Sequence, residues 1–313
     1  MHAIAVVLHD QRALALEAVK LVPPTEADVI VDMEWSGISS GTERLLWSGR
    51  MPPFPGMGYP LVPGYESVGR VVQAGSSSNR REGDRVFVPG ARCYDGVRAL
   101  FGGTSSRVVV AGGRVWPVSE SIGENAILLA LTATAVHALA APGSASPDLI
   151  VGHGVLGRLL SRVTIALGNP APTVWEHNPR RMDGSSGYVV IDQTADPKRN
   201  YRAIYDVSGD SGILGELISR LAPGGEIVLA GFYDTPLRFD FAPAFMREAR
   251  IRVAAQFLDD DMRVALDLIN TGRLSLDGLI SHRQPATSAP SAYDVAFTDP
   301  SCLKMVLDWR AAA

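Results

Sequence analysis

The chain has 313 residues, of which 46% are hydrophobic and 20% are charged. This length predicts about two domains, and the composition excludes a fibrous, a disordered or a disulfide-stapled chain. The 29 lysines and arginines against 33 aspartates and glutamates give a net charge of −4. Because no broad cationic surface is available, we expect no nucleic-acid partner and no stable membrane insertion.

Only two cysteines occur, Cys93 and Cys302. Neither belongs to a Cys-x-x-Cys pair and no histidine pair at helical spacing lies nearby, so the pattern of a structural zinc site is missing. The N-terminus has no cationic leader before its short apolar run, and no apolar run approaches the ~20 residues of a membrane helix. We therefore expect a protein of the reducing cytoplasm.

The first third of the chain alternates short β-rich runs with turns, which predicts a compact β-barrel-like unit. Proline-rich, apolar residues 47–60 interrupt it and predict an irregular surface loop, because proline fixes φ and lacks an amide hydrogen. The predicted strands cover residues 3–8, 13–22, 28–36, 66–74, 85–89 and 106–111.

The middle of the chain changes to an Ala/Leu-rich run over residues 125–139, which predicts a buried helix, and then alternates strands with helices. Such alternation predicts right-handed βαβ units and a parallel sheet. Residues 176–187 contain one Pro, three Ser or Asn and two Gly, so the crossover helix there should be shortened or lost. The tail returns to β texture, which gives domains at 1–123 and 124–272, with 273–313 rejoining the first.

A glycine-rich turn carries the clearest functional signal, because it lies between a predicted strand and a predicted helix. Gly152 permits the tight turn, Gly154 lets the backbone approach a pyrophosphate, and Gly157 allows close helix–strand packing. The pattern predicts a dinucleotide site, with a plain βα turn as the alternative. The turn reads Gly152-His153-Gly154-Val155-Leu156-Gly157.

Glu176 lies 24 positions after Gly152 (176 − 152), at the end of the next predicted strand. A carboxylate at this place binds the ribose 2′-hydroxyl and repels a 2′-phosphate, so it favours NAD over NADP. Arg180 and Arg181 favour the opposite choice, because a guanidinium holds a phosphate. Further candidate cofactor contacts, with ordinary packing as the alternative for each, are Thr134, His153, Val207 and Gly231.

Several stretches together resemble the medium-chain dehydrogenase/reductase family, in the family's order: 37–43, 63–71, 83–87, 132–139, the glycine turn and 221–231. The resemblance implies an α/β plus β fold, in which a GroES-like catalytic β-barrel is interrupted by a doubly wound Rossmann domain. It also implies an NAD-linked oxidoreductase and a homodimer.

Residues 36–67 and the shortened 176–181 resemble a narrower group, the dehydrogenases of bacteriochlorophyll biosynthesis in photosynthetic organisms. This resemblance implies a tetrapyrrole substrate, a bacteriochlorophyllide whose 3-(1-hydroxyethyl) side chain is oxidised to 3-acetyl. Trp47, Met51 and Tyr59, with Phe54, offer apolar faces for such a macrocycle and Arg50 offers a partner for its propionate. A loop that closes the barrel or seals a dimer is the alternative.

Zinc members of the family carry Gly-Ile-Cys-Gly-Thr-Asp and Gly-His-Glu, whose Cys and His bind the catalytic metal. Here Ser39 or Ser40 takes the cysteine position and Tyr65 takes the histidine position, so only Glu66 remains. One carboxylate does not hold a tetrahedral ion, because catalytic zinc needs three protein ligands. The resemblance therefore implies that both zinc sites are absent and that no metal is bound.

Without zinc, the protein itself must remove the hydroxyl proton and stabilise the developing alkoxide. We expect a relay centred on Tyr65, in which Ser39, Ser40 and Thr42 pass the proton and Glu66 accepts it or orients the phenol. In that relay the cationic nicotinamide would lower the pKa of the phenol. The alternative is that Tyr65 is a structural barrel residue and that positioning alone supplies the catalysis.

Two other functions stay open at this point. One is a zinc-free reductase of enones or quinones, which would prefer NADPH and need no proton-accepting relay. The other is a non-catalytic NAD(P)-binding sensor or pigment chaperone, which would bind the cofactor without turnover.

Overall fold

The computed structural model describes residues 1–53 and 55–311, so the predicted substrate residue Phe54 lies outside the described residues. The chain divides into two compact units, unit 1 with Met1–Ala130 and Ile280–Ala313, and unit 2 with Leu131–Leu279. Both observed junctions lie seven residues after the predicted ones (131 − 124 and 280 − 273). The first differs because a helical segment, Glu120–Leu139, runs across it.

Unit 1 begins with an all-β series interrupted by one short helix. Its elements are β1 (His2–Asp10), β2 (Ala13–Leu21), β3 (Asp28–Ile38), α1 (Thr42–Ser48), β4 (Leu61–Pro63), β5 (Ser67–Ala74), β6 (Arg85–Val88), β7 (Tyr94–Asp95), β8 (Arg98–Leu100), β9 (Arg107–Ala111) and β10 (Trp116–Pro117).

Unit 2 alternates helices and strands: α2 (Leu129–Leu139, whose first two residues belong to unit 1), β11 (Leu149–Val151), α3 (Val155–Ala166), β12 (Thr173–Trp175), β13 (Val189–Ile191), β14 (Tyr201–Asp206), α4 (Leu214–Arg220), β15 (Leu221–Leu229), α5 (Phe241–Met246), β16 (Arg250–Val253) and α6 (Asp259–Asn270). The chain then returns to unit 1 with β17 (His282–Pro285), α7 (Ala289–Thr298) and β18 (Met305–Asp308).

Two sheets build unit 1, in the orders β7-β2-β1-β4-β8 and β10-β6-β5-β3-β18-β17, with β9 also paired to β3. Several of these strands carry runs of consecutive buried side chains, among them Val6, Val31 and Val108. The C-terminal β18 pairs antiparallel with β3, with Met305 opposite Ile38. This pairing brings the residue before β18, Lys304, beside the end of β3.

Unit 2 is a parallel six-stranded sheet in the order β13-β12-β11-β14-β15-β16. The sequence predicted this parallel sheet from the alternation of strands and helices. Between β12 and β13 the chain forms only a short 3-10 turn, Pro179–Arg181, in place of a crossover helix. The carboxyl ends of parallel strands share one edge, which is where such sheets bind ligands.

One helical segment of the described chain, Glu120–Leu139, is by length and composition apolar enough to cross a membrane, although no such segment was expected. It consists of a 3-10 stretch, Glu120–Leu128, followed by α2. In its most apolar window 61% is buried inside the protein. The core helix of a soluble protein meets the same criteria, so this segment is weak evidence for membrane insertion.

Candidate functional site: a glycine turn and a buried polar cluster

The glycine turn of unit 2 fits a dinucleotide pyrophosphate. Gly152 has φ +101°, a conformation that favours glycine, and a methyl group on Gly157 would lie 1.9 Å from the Gly152 carbonyl oxygen. A methyl group on Gly154 would meet no atom within 4 Å, so the turn is open at the N-terminus of α3. The amide groups at such a helix start attract a phosphate.

Glu176 lies against this turn, directly after β12. Its Oε2 accepts a hydrogen bond from the backbone N–H of His153 at 3.0 Å, and its Oε1 accepts one from the backbone N–H of Asn178 at 2.8 Å. These bonds fix the carboxylate beside the pyrophosphate position while each oxygen keeps acceptor capacity for a ribose hydroxyl. The structure therefore brings together the two parts of the predicted nucleotide site.

His153 is fully buried and binds the segment after β12. Its Nδ1 lies 2.6 Å from the carbonyl oxygen of Arg181, and its Nε2 lies 2.8 Å from Oη of Tyr188. A carbonyl only accepts, so Nδ1 carries the hydrogen and Nε2 accepts from the phenol. Burial, ahead of nearby arginine charge, lowers the pKa of His153 to about 4. The imidazole is therefore neutral and holds the segment that carries Arg181.

Arg158 on α3 supports the same segment. Its Nε donates to the His153 carbonyl oxygen at 3.1 Å and its guanidinium donates to the Arg181 carbonyl oxygen at 3.0 Å. No sequence signal pointed to this role, since the position is only the residue after the third glycine. Arg158 fills part of the space beside the shortened crossover.

The other predicted cofactor residues of unit 2 lie at the carboxyl edge of the sheet or on helices. A methyl group on Gly152 would lie 3.2 Å from the Ser208 backbone and 3.4 Å from that of Val207, and one on Gly231 would lie 3.2 Å from the Gly209 nitrogen. Val207 thus lies beside the glycine turn, and Gly231 lies beside Gly209 and Val207; their contacts with a cofactor stay predictions. Val155 and Leu156 open α3 and Thr134 lies on α2; their contacts with a cofactor stay predictions.

In unit 1, Tyr65 and Ser39 form a direct hydrogen bond. Tyr65 Oη lies 2.8 Å from Ser39 Oγ and 3.5 Å from Thr42 Oγ1. The end of β3 and the start of α1 position Ser39 and Thr42, while Tyr65 follows β4. Ser40 is exposed and makes no hydrogen bond with this group among the described residues. The structure therefore brings three of the four hydroxyls of the predicted relay together.

Burial raises the pKa of the Tyr65 phenol, and the charges of Glu66 and Glu43 raise it further. A free phenolate is therefore unfavourable in the cofactor-free chain, opposite to the lowered pKa that the relay hypothesis attributed to a cationic nicotinamide. The phenol works best as a neutral relay that gives up its own proton while it accepts another. Phe101 packs edge-on against its ring, with the centroids 5.2 Å apart, and was not predicted.

Glu66 does not hydrogen-bond to Tyr65; it forms a buried ion pair with Lys304. Lys304 Nζ donates to Glu66 Oε2 at 2.5 Å and to the carbonyl oxygen of Ile38 at 3.3 Å. Neither side chain is more than 3% exposed, and Glu66 Oε1 has no hydrogen-bond partner among the described residues. Gly37 is required here, because a methyl group on it would lie 2.4 Å from Glu66 Oε2. Glu66 therefore acts on Tyr65 through charge.

Glu43 is a second buried carboxyl of the cluster, and the sequence reasoning did not select it. Its Oε1 accepts from the backbone N–H of Ser39 at 3.0 Å, and its Oε2 accepts from Tyr293 Oη at 2.6 Å. Burial raises the pKa of Glu43 to about 7. Its place one residue beyond Thr42 in the family-like stretch was the only available signal. We call Ser39, Glu43, Tyr65, Glu66, Tyr293 and Lys304 the buried polar cluster.

The donor set of this cluster does not fit a zinc ion. Hydroxyl groups replace the sulfur and nitrogen that zinc prefers, and the remaining carboxylate, Glu66, is already neutralised by an ammonium. Within residues 1–53 and 55–311, no three His, Cys, Asp or Glu side chains are grouped to hold a metal ion.

The predicted substrate residues make internal contacts in unit 1. The Trp47 ring lies 5.4 Å from that of Phe297, Met51 is buried among leucines, and Tyr59 Oη donates to the Leu46 carbonyl oxygen at 2.5 Å. Arg50 is exposed. These contacts match the alternative of a loop closing the barrel, and the tetrapyrrole role stays a prediction.

Comparison with known proteins identifies the family. Residues 25–120 match the family described as "Alcohol dehydrogenase GroES-like domain". Over its full length the chain is 54% identical to the "2-desacetyl-2-hydroxyethyl bacteriochlorophyllide A dehydrogenase" of Rhodobacter capsulatus, covering 100% of both chains. The chain belongs to the medium-chain dehydrogenase family. A relative with the same name from Cereibacter sphaeroides is 51% identical, again with both chains fully covered.

Solved dehydrogenase structures share the fold of this chain. A short chain alcohol dehydrogenase from Escherichia coli CFT073, complexed with NADH, has a TM-score of 0.83 at 21% identity, covering 98% of this chain and 99% of the other. A zinc-binding dehydrogenase of Sinorhizobium meliloti 1021 bound to NADP has a TM-score of 0.82 at 20% identity, with the same coverage. The medium-chain dehydrogenase described here is an oxidoreductase that acts on an alcohol, with the predicted GroES-like and Rossmann fold.

Proposed function

We propose that this dehydrogenase oxidises the 3-(1-hydroxyethyl) group of a bacteriochlorophyllide to 3-acetyl, giving bacteriochlorophyllide a for bacteriochlorophyll biosynthesis. The observation that carries the proposal is the full-length identity of 54% to a relative named for this substrate. The glycine turn and the buried polar cluster supply the two chemical functions that such an oxidation needs.

Oxidation of a secondary alcohol removes a hydride from the carbinol carbon and a proton from the oxygen. When bound, the nicotinamide cofactor accepts the hydride. The glycine turn holds the pyrophosphate and Glu176 binds the ribose. Tyr65 accepts the hydroxyl proton while its own proton passes to Ser39, 2.8 Å away, and from there to water. Thr42, 3.5 Å from the phenol, is the second hydroxyl of this relay.

The reaction is proposed to be zinc-independent, since Ser39, Tyr65 and the paired Glu66 are a poor donor set. We further propose NAD rather than NADP, because the Glu176 carboxylate at the ribose position repels a 2′-phosphate. Arg180 and Arg181 favour a 2′-phosphate, so the preference for NAD over NADP has to be measured. Fluorescence titration of NADH against NADPH decides it, and tighter binding of NADPH would favour an enone or quinone reductase instead.

The deciding experiment incubates the purified protein with a 3-(1-hydroxyethyl) bacteriochlorophyllide and NAD. An acetyl carbonyl conjugated with the macrocycle moves the red absorption band, and NADH appears in equal amount. The reaction should persist after chelation, in protein with no zinc by elemental analysis. A protein that binds NADH but leaves the band unmoved would be a sensor or pigment chaperone, and activity that vanishes with chelator and returns with zinc would refute the metal-free mechanism.

The protein is also proposed to be a cytoplasmic homodimer without stable membrane insertion. Strand β16 is an edge of the unit 2 sheet, and its Ile251 and Val253 side chains are exposed, as expected of a strand that pairs with a second copy. Light scattering measures the mass in solution, and a Val253→Lys variant should shift it to the monomer. A monomeric wild type would contradict the dimer.

A further inference from the structure

Glu43 is held in a closed polar environment on unit 1. The groups that face it are Tyr293 from α7, the backbone amide of Ser39, Glu66 after β4 and Lys304 before β18. Glu43 and Glu66 are both fully buried, and the one cation of the group, Lys304, is bound to Glu66. Two buried carboxyl groups therefore lie near one ammonium, which is bound to only one of them.

A buried carboxylate without a paired cation is unfavourable, so it takes up a proton instead. Glu66 has a paired cation, because the Lys304 ammonium lies 2.5 Å from its oxygen. Among the described residues, Glu43 has only two hydrogen-bond donors, an amide and a phenol. Of the two carboxyl groups, Glu43 is the one expected to carry the proton.

We propose that Glu43 is a positioning residue that stores a proton in the buried polar cluster and, through its charge, sets the proton affinity of Tyr65. This inference rests on the proposed function only for its kinetic consequence. Glu43 touches neither the phenol nor the hydroxyl of Ser39 directly. Its carboxyl binds the Ser39 amide while the Ser39 hydroxyl binds Tyr65, so one residue links the two groups.

The direction of the coupling follows from charge. The charge of ionised Glu43 raises the pKa of Tyr65, and a protonated Glu43 removes that contribution. Because the pKa of Glu43 is raised to about 7, its state changes near neutral pH. The relay should then hold its proton more tightly above pH 7 than it would beside a neutral side chain.

Glu43→Gln tests the coupling, because an amide keeps the acceptor for Ser39 and can donate to Tyr293 while it carries no charge. In single-turnover hydride transfer the wild-type rate should show an inflection near pH 7, where Glu43 gains its charge and the relay holds its proton more tightly. Glu43→Gln should remove this inflection, because its amide carries no charge at any pH. The exposed Glu82→Gln is the control and should leave the profile unchanged.

Infrared difference spectra between wild type and Glu43→Gln test the stored proton without substrate or cofactor. At pH 6 the wild type should show a carboxylic acid C=O band that the variant lacks, and this band should fade above pH 7. Absence of the band overturns the proposal that Glu43 stores a proton, whatever the substrate is. If the band is present but Glu43→Gln has the same pH–rate profile as the wild type, the coupling between Glu43 and Tyr65 is overturned.

Tyr293→Phe gives an independent variant in case Glu43→Gln does not fold. The Tyr293 hydroxyl stabilises the Glu43 carboxylate, so its loss should move both the infrared transition and the kinetic inflection to higher pH. A transition that stays in place or moves to lower pH contradicts the assignment. If the chlorin is not turned over at all, the infrared transition still decides the state of Glu43.

Discussion

Lys304 Nζ lies 2.5 Å from Glu66 Oε2 in the interior of unit 1, although the two residues are 238 positions apart in the chain. The pair forms because β18 lies beside β3, and Gly37 leaves room for the carboxylate. Glu66 is the one family zinc-site residue that this chain retains. An ammonium group thus pairs with the carboxylate next to Tyr65 in the chain.

Removal of the cation should destabilise the protein strongly. Lys304→Met leaves the Glu66 carboxylate buried and unpaired, which costs about 3–5 kcal/mol of the free energy of unfolding. The double variant Lys304→Met/Glu66→Gln should recover most of that loss, since no uncompensated charge remains. Chemical denaturation measures the free energy of unfolding of both variants. Lys20→Met, which breaks the exposed ion pair with Asp95, is the control and should change that free energy little. An additive double variant would show that the pair is not coupled.

Tyr65→Phe should lower the rate of single-turnover hydride transfer by about 10²–10⁴. The variant keeps the ring contact with Phe101 and loses only the hydroxyl that binds Ser39, so NADH affinity should not change. Stopped-flow absorbance of the chlorin band measures the rate. Near wild-type rates in both Tyr65→Phe and Glu66→Gln would eliminate the relay.

His153 makes unit 2 sensitive to acid. Its pKa is lowered from 6.5 to about 4 in the folded chain, so between these values the unfolded chain binds more protons. Stability is therefore complete above pH 6.5 and falls toward pH 4, by on the order of 3 kcal/mol. His153→Gln should lack this fall in stability with decreasing pH. His177→Gln is the control and should retain it, because the His177 side chain is 94% exposed. Equal slopes in all three proteins would contradict the burial argument.

Glu176→Gln should weaken NADH binding by about tenfold, because a charged acceptor to the ribose is replaced by a neutral one. NADPH binding should weaken less or improve, since repulsion of the 2′-phosphate is lost. Fluorescence titration with both nucleotides gives the ratio, and the exposed Glu248→Gln is the control. If the ratio of NADH affinity to NADPH affinity did not change, the ribose would not bind at Glu176.

Trp47→Ala separates the two roles of the loop over residues 47–60. Its ring packs on Phe297 and beneath the Arg12 guanidinium, 5.3 Å from the ring centroid, so the free energy of unfolding should fall by about 1–3 kcal/mol. If the loop also binds the macrocycle, the chlorin Kd should rise at least several-fold in the folded variant. Unchanged chlorin affinity in folded Trp47→Ala/Phe54→Ala would remove the loop from the substrate site.

The sequence by itself determined β1, β2, β3, β5, β6 and β9, the parallel sheet of unit 2, the glycine turn and the position of Glu176, but not the short α1, β4, β7, β8 and β10. These features depend on local periodicity, on glycine conformation and on the rule that parallel strands end at one edge. It also indicated that Tyr65 and Ser39 meet, through a family motif. The shortened crossover at Pro179–Arg181 followed from composition alone.

Only the tertiary structure decided which charges surround Tyr65. Lys304 and Tyr293 reach the cluster across more than two hundred residues of intervening chain, through the pairing of β18 with β3 and the packing of α7, and no local pattern encodes such a contact. The burial of Glu43 and His153 was equally invisible, because a pKa depends on the solvent and charges that the folded chain places around a group. The loss of zinc ligands is readable in sequence; the buried lysine beside the retained carboxylate is not.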